Sequence, residues 1–391
     1  MKNNLNFRII TFCAILLNII TILYYIQLIK NNQKQKTILY DQKQKTIPYN
    51  QKQKTILYIS RHNGTIDDMS YVASSLNMSI TCQLPTHKYG DVNRFMMTKE
   101  SLMYKNIICE SFDFIIVGDT NPDGIEFLVD VNKCRSTIII HTTNRFDWIS
   151  SYHFNIILNQ AFNEYPSKVL SVVNNPSEII YMNKKGVYPT KYHLIRPTGY
   201  TRNYNMNDSK EVIDKKNTKA GKMDKLVLID KDYYHKELVH SMNLNNITFD
   251  VYSNEYGGPK TLLRYKAYIF IPYQTSVMSF MQNLKVGVVY MIPSIDLYIE
   301  LYLNSNVLLD LHDFRYNTTK LNIKQKLNKR FKKYMEWWND DLKDIVIYFD
   351  SWKDLKYKLV DSKFDCYSNN SIKYADKISK KSLEQWSDIL T

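Results

Sequence analysis

Ser60-Arg61-His62-Asn63-Gly64 follows a short apolar run, Thr55–Ile59, and gathers a guanidinium, an imidazole, an amide and a glycine. Gly118-Asp119-Thr120-Asn121-Pro122-Asp123-Gly124 follows the apolar run Phe112–Val117. A third group, with His141, Asn144, Arg145, Phe146, Asp147 and Trp148, follows Thr137–Ile140. Each polar group stands where a buried strand would end, and ligands of open parallel sheets bind outside the carboxyl ends of their strands. His62, Asp119, His141 and Asp147 are therefore the groups placed to take a proton from a substrate hydroxyl. Asp119 is the favoured base, because it directly follows the clearest apolar run; His141 and Asp147 are its alternates. Arg61, His62, Asn63, Gly64, Asn144 and Arg145 are expected to line the cleft. Asp, Asn, Pro and Gly also build ordinary turns, so the 119–124 loop has a purely structural reading as well. The 141–147 segment reads equally as a structural corner.

The second half offers different chemistry. Tyr256-Gly257-Gly258-Pro259-Lys260 follows a strand-like run and opens a helical one. Glycine lets backbone approach a ligand, and a helix start presents free N–H groups to an anion. Lys260 and Arg264, four apart, can share one helix face. Ile271-Pro272-Tyr273-Gln274-Thr275-Ser276 repeats the arrangement, with Thr275 or Ser276 able to cap the next helix. Two helix starts at neighbouring strand ends could hold a diphosphate; each alone also reads as a plain turn and cap. No Walker A loop, G-x-G-x-x-G, His-x-x-x-His, Cys-x-x-Cys or Gly-x-Ser-x-Gly occurs, so P-loop, zinc-ribbon and hydrolase-elbow chemistries lack support. Asp230-Lys231-Asp232 is an Asp-x-Asp of the kind chance supplies. No metal site is expected.

These residues need a scaffold. From residue 55 apolar runs alternate with helical segments, the pattern of parallel strands buried on both faces. His193–Ile195 adds a strand to the first series. A polar stretch, 201–223, breaks the pattern. A second series follows: Leu226–Ile229, Thr248–Tyr252, Tyr268–Ile271, Val288–Ile292 and Val307–Leu309 as strands. Helices are expected at Ile66–Leu76, Lys231–Met242, Lys260–Lys266 and Ser276–Val286. The fold class is α/β: two Rossmann-like doubly wound domains, 55–200 and 224–350, facing a cleft, with a helical C-terminal segment over 351–391.

Ahead of these domains, Ile9–Ile29 is an uncharged 21-residue stretch between Arg8 and Lys30. At ~1.5 Å per residue it matches a hydrocarbon core of ~30 Å. It ends in Tyr24, Tyr25 and Gln27 rather than small residues, so an uncleaved anchor is favoured over a signal peptide. Three nine-residue copies, NQKQKTILY, DQKQKTIPY and NQKQKTILY, occupy residues 32–58; residues 30–54 are read as a polar stalk, and the third copy runs into the first strand.

The whole chain has 391 residues, a formal charge of +14, 44% apolar residues, ten glycines and ten prolines. That apolar fraction supports a core and excludes a disordered polymer, and the low Gly and Pro exclude collagen-like classes. Five cysteines exclude a disulfide-dense scaffold. Cys82, Cys109, Cys134 and Cys366 could form two bridges in a lumen, with the pairing open. The positive charge is mostly lysine and solvates the surface; without an Arg-rich stripe, no nucleic-acid partner is expected. Six Asn-x-Ser/Thr sequons, at Asn63, Asn77, Asn207, Asn246, Asn317 and Asn369, match the number that 37 Asn would give by chance.

Two successive α/β domains with a terminal helical segment resemble the GT-B fold of glycosyltransferases. The stretch Tyr256–Ser294, YGGPKTLLRYKAYIFIPYQTSVMSFMQNLKVGVVYMIPS, resembles the donor-binding half of that fold. Ser60–Gly64, Thr143–Trp148 and Tyr348–Trp352 are similar to segments of a largely fungal group of membrane-anchored GT-B-like proteins. The resemblance implies a nucleoside-diphosphate sugar as donor substrate, bound by the second domain at Gly257, Gly258, Lys260, Arg264, Thr275, Ser276 and Gln282. It implies a glycan, glycoprotein or lipid acceptor on the first domain, no cofactor and no essential metal. It also implies a single-pass type II placement with the domains in the lumen of the Golgi or endoplasmic reticulum. One departure stands out: the related sequences carry a carboxylate where this chain has Gln282, which lacks charge-assisted strength toward a hydroxyl. A catalytically inactive GT-B-like glycan-binding or scaffold protein is the alternative.

Overall fold

The computed structural model of the chain describes residues 53–85, 99–146, 151–202, 223–229, 235–252, 256–304 and 323–391. All of these belong to one compact unit, Gln53–Thr391. The apolar span 9–29, most of the repeats, Asp147 and the strand expected at 307–309 lie outside the described residues. Among the described residues, no helix is long and apolar enough to cross a membrane.

The first sheet has six strands: β1 (Thr55–Ile59), β2 (Ser79–Gln83), β3 (Phe114–Gly118), β4 (Thr137–Thr142), β5 (Val169–Val173) and β6 (Tyr192–Leu194). They run parallel in the order β2-β1-β3-β4-β5-β6. The second sheet has β7 (Met223–Ile229), β8 (Phe249–Tyr252), β9 (Tyr265–Ile269), β10 (Tyr290–Pro293) and β11 (Val346–Phe349). These are also parallel, in the order β11-β10-β9-β7-β8. In both sheets the chain winds one way from its first strand and then reverses. The switch points lie between β1 and β3, and between β7 and β9. Two doubly wound domains in tandem fit the GT-B architecture.

Strand alternation builds two core layers in the first domain. Leu57, Ile59, Ile115, Val117, Ile138 and Ile140 face one layer. Ile56, Tyr58, Phe114, Ile116 and Ile139 face the other. Period-two side chains with both faces buried leave no polar face, which is why these strands read as continuous apolar runs.

Helix α1 (Asn63–Ser75) packs Met69, Val72 and Ala73 onto the second layer. Helices α2 (Lys99–Ser111), α3 (Ile125–Leu128), α4 (Tyr152–Glu164) and α5 (Ser177–Lys184) complete this domain. A disulfide joins Cys109 of α2 to Cys134; among the described residues Cys82 and Cys366 are in no disulfide. The second domain adds α6 (His235–Leu244), α7 (Pro259–Leu262), α8 (Met278–Lys285), α9 (Ile295–Asn304) and α10 (Ile323–Tyr334). The helix expected over 260–266 is only the single turn α7, because β9 begins at Tyr265.

The C-terminal segment is helical throughout, as α11 (Trp352–Asp361) and α12 (Phe364–Leu390). Helix α12 starts on the second domain, where the Ser368 hydroxyl donates to Gly287 O at 2.7 Å. It ends on the first. Trp386 and Leu390 enter the first domain's second core layer. Ser382 donates to Arg196 O at 2.7 Å and Gln385 to Leu194 O at 3.0 Å. Lys54, the last lysine of the repeats, donates to Leu390 O and Thr391 O at 3.0 and 2.9 Å. A cation on terminal helical carbonyls is the favourable end of the macrodipole.

Candidate functional site

The carboxyl ends of the two sheets face a common cleft of about 400 Å³. From the first domain its wall includes His62, Thr65, Asp119, Thr143 and Asn144. From the second come Tyr256, Tyr268, Phe270 and Tyr273, an aromatic surface, followed by Gln274 to Ser279 except Thr275. Gln282, one turn further into α8, completes the lining.

Asp119 follows the last residue of β3 and has φ +62, a left-handed backbone that non-glycine residues seldom adopt. Gly118 before it is required by packing, since a Cβ there would lie 2.2 Å from the Tyr58 hydroxyl. The Asp119 N–H donates to Thr143 Oγ1 at 3.0 Å. Burial pushes the Asp119 carboxyl above its ordinary value, and the Asp123 charge adds to this; His62 and hydrogen bonds from Thr120 and Asn144 oppose it. A carboxyl in a cleft whose value is raised by burial is a stronger base than an exposed one.

His62 caps α1: its Nδ1 accepts from the Gly64 N–H at 3.1 Å. That bond places the proton of the neutral ring on Nε2. His62 therefore offers a donor, which leaves Asp119 as the proton acceptor of the pair.

Other residues expected in the cleft have different partners. Arg61 forms a bidentate pair with buried Asp123, Nε to Oδ2 and Nη2 to Oδ1 both at 2.8 Å. The pair pins the loops after β1 and β3 together and neutralises the guanidinium. Arg145 stacks over Tyr181, 5.3 Å from the ring centroid. Asn63 is exposed on the first turn of α1, and Gly64 packs toward Gln282. None of these four lines the cleft.

His141, the alternate candidate base, is buried and does not line the cleft. Strand β4 runs to Thr142, two residues past the end of the apolar run, so His141 is still in the ladder, opposite Gly118 and Val172. Alternation turns its ring into the core, 5.1 Å from the Trp386 ring in an edge-on arrangement. Burial pushes its pKa down to about 3, and Nδ1 finds no hydrogen-bond partner. It cannot reach a substrate in the cleft.

In the second domain, Gly257 and Gly258 have φ +79 and +76 and lead into α7. Lys260 and Arg264 are exposed and do not line the cleft. Thr275 is buried, and its carbonyl accepts from Glu336 N at 3.0 Å. Ser276 lines the cleft but does not cap α8; its hydroxyl accepts from Asn175 Nδ2 at 2.9 Å across the two domains. The N-cap of α8 is Val277, with no side-chain cap. Gln282 Nε2 donates to Tyr200 O at 3.4 Å. Gly199, at φ +78, lets that turn approach α8, since its Cβ would sit 2.7 Å from Met281 O.

Glu336 supports the same turn. Its Oε1 accepts from Val277 N at 3.2 Å. Burial pushes Glu336 up to about 7; Arg196 and the Val277 N–H oppose the shift and Asp341 adds to it. Arg196 reaches Tyr374 of α12 at 2.6 Å, and Tyr374 donates to Asp341 at 2.9 Å. Among the described residues no cluster of three or more His, Cys, Asp or Glu could hold a metal ion.

The aromatic wall was missed in the sequence because 31 tyrosines made any one of them uninformative. Asn175 was missed because β5 was not read as a strand. Applied to β5, the strand-end rule selects Asn174-Asn175.

No protein-family model and no curated protein matches the chain. Solved structures match it at low identity. HepE of Anabaena in complex with UDP is 7% identical with TM-score 0.49, over 86% of this chain and 99% of that one. A UDP-glucosyltransferase from Polygonum tinctorium is 9% identical with TM-score 0.44, over 87% and 99%. MurG of Acinetobacter baumannii is 8% identical with TM-score 0.38, over 86% and 100%.

Proposed function

We propose that the protein is a glycosyltransferase that moves a sugar from a nucleoside-diphosphate sugar to a glycan, protein or lipid acceptor. The observation that carries this reading is the position of Asp119. A strained, buried carboxyl at the end of β3 faces, across the cleft, a helix whose first turn has no side-chain cap. In this reading the Met278 and Ser279 N–H groups at the start of α8, next to the Val277 N–H held by Glu336, receive the diphosphate. Gln282 reaches a donor hydroxyl, and the Tyr256, Tyr268, Phe270 and Tyr273 surface holds the flat or apolar faces of the donor. The acceptor hydroxyl gives its proton to Asp119, while the His62 Nε2–H donates to a neighbouring oxygen. The anomeric carbon bonds to the acceptor oxygen as its bond to the diphosphate breaks. No resident cofactor is called for.

Residues 9–29 anchor the chain in this proposal, as in the largely fungal group it resembles, with the catalytic domains in the lumen of the Golgi or endoplasmic reticulum. The Cys109–Cys134 bridge supports an oxidising compartment.

A second reading, a glycan-binding protein without turnover, is favoured by one observation. Among the described residues lining the cleft there is no Lys or Arg, and Gln282 is tied to Tyr200 O. Incubation of the soluble part with a panel of nucleotide sugars, with and without glycan acceptors, separates the two. Release of nucleoside diphosphate by the wild type supports the enzyme. Glycan binding without release from any donor rejects it.

A further inference from the structure

The four sequons within the described residues differ in where the fold puts them. Asn77 and Asn246 occupy the same place in the two domains: the turn after α1 leading into β2, and the turn after α6 leading into β8. Both have left-handed backbone, φ +55 and +50, and both are exposed. Their hydroxyl residues, Ser79 and Thr248, are exposed as well. The other two sequons are shut. Thr65, which completes the Asn63 sequon, is buried and bonds Ser60 Oγ and His62 O at 2.7 and 2.8 Å. Ser371, which completes the Asn369 sequon, is fully buried inside α12 and donates to Tyr367 O at 2.8 Å.

Topology adds a second difference. Among the described residues, β2 and β8 are edge strands of their sheets, and Asn77 and Asn246 stand at their amino ends. The cleft lies at the opposite, carboxyl ends of the strands. A large polar group on either Asn would leave the cleft open and cover part of an exposed strand edge, the feature of a sheet most prone to unwanted pairing. Asn63 stands next to Gly64, which packs toward Gln282 of the cleft, so the same group there would crowd the site.

We propose that Asn77 and Asn246 carry N-linked glycans and that Asn63 and Asn369 do not. In the transfer, Asn Nδ2 bonds to the anomeric carbon of a lipid-diphosphate-linked oligosaccharide. The lipid diphosphate leaves, and the amide gives up one proton. This rests on the lumenal placement proposed above, and the test separates the two.

The full chain is expressed in a eukaryotic cell with an intact N-glycosylation pathway. Peptide N-glycosidase then converts each occupied Asn to Asp, and mass spectrometry of the peptides reads every sequon. Conversion is expected at Asn77 and Asn246 and not at Asn63 or Asn369. Asn77→Gln and Asn246→Gln should each remove one step of gel mobility. Ser79→Ala and Thr248→Ala should do the same while leaving the left-handed Asn in place. Glycans elsewhere with Asn77 and Asn246 bare would overturn the proposal and leave the lumenal placement standing. No glycan at any sequon, with Cys109 and Cys134 reacting as free thiols in the denatured chain, would overturn both.

Discussion

At the residue scale the decisive contrast is between Asp119 and His141, both at strand ends in the sequence. One extra ladder pair turns His141 into the core, while Asp119 leaves β3 on a left-handed backbone into the cleft. The sequence shows where an apolar run stops, but a polar residue can still occupy the last pair of a strand, as His141 and Thr142 do. Asp119→Asn tests the assignment cleanly, because Asn adopts left-handed backbone at least as readily as Asp. Turnover is expected to fall by roughly 10²–10⁴-fold with donor affinity unchanged. The base acts deprotonated, so wild-type turnover should rise with pH through the raised Asp119 value, and that limb should vanish in the variant. Initial rates across pH for both proteins check this. On the donor side, Lys260→Ala and Arg264→Ala should leave nucleotide affinity within about twofold. A buried charge-assisted bond would cost roughly 1.5–3 kcal/mol, tenfold or more, and these side chains are exposed. Calorimetric titration with a nucleoside diphosphate reads the difference.

At the element scale, most of the first sheet is legible because its strands are buried on both faces. Thr55–Ile59 is read to the residue, and β3 and β4 are displaced or extended by only one or two residues. Strand β2, Ser-Ile-Thr-Cys-Gln, escapes notice because it is an edge strand with mixed exposure. In β5 the fully buried Ser171 interrupts the apolar run. Strand β11 is masked by the charged segments on either side. What no local pattern reveals is the destination of α12. Its amphipathic face is plain in the sequence, yet only the fold shows that the face is shared, its first turns packed on the second domain and its last turns sealing the first. Trp386→Ala therefore becomes an informative change. Removing a buried Trp costs about 3–5 kcal/mol, and here the cavity opens beside His141, Tyr58 and Ile195 of the first domain. Denaturant unfolding should show the first domain losing stability while the second keeps its own. Hydrogen exchange resolved by segment would show β1, β3 and β4 exchanging faster, with β9 and β10 unchanged.

At the scale of the whole molecule, the two domains are held in register by polar contacts that bracket the cleft. Asn175 bonds Ser276 at 2.9 Å, Ser177 bonds Tyr334 O at 2.5 Å, and Arg196 joins Tyr374 and faces Glu336. Glu336 sits at the centre of this set, holding the start of α8 through Val277 N. The charged groups that face it are Arg196 and Asp341, with the Tyr374 hydroxyl between them. Its folded-state value of about 7 exceeds the ordinary 4.5, so the folded protein binds more protons than the unfolded chain between those limits. Its contribution to stability is therefore complete below about pH 4.5 and is lost as pH rises through 7, by something on the order of 3 kcal/mol. Asp68, pushed up to about 6 by burial despite the N–H and hydroxyl of Thr198, acts with the same sign. Glu336→Gln keeps an acceptor for Val277 N and removes the titrating charge. Urea unfolding from pH 5 to pH 8 should show the variant losing less stability than the wild type as pH rises; the pH dependence common to both belongs to Asp68 and Asp119, which act with the same sign as Glu336, and to His141 and His193, whose lowered values act with the opposite sign. At pH 8 the variant should equal or exceed the wild type, because an uncharged amide no longer bears the cost of burying a carboxylate. A variant that is less stable at pH 8 would mean that the attraction between Arg196 and ionised Glu336 outweighs that cost, and that the domains are held together by the charge itself.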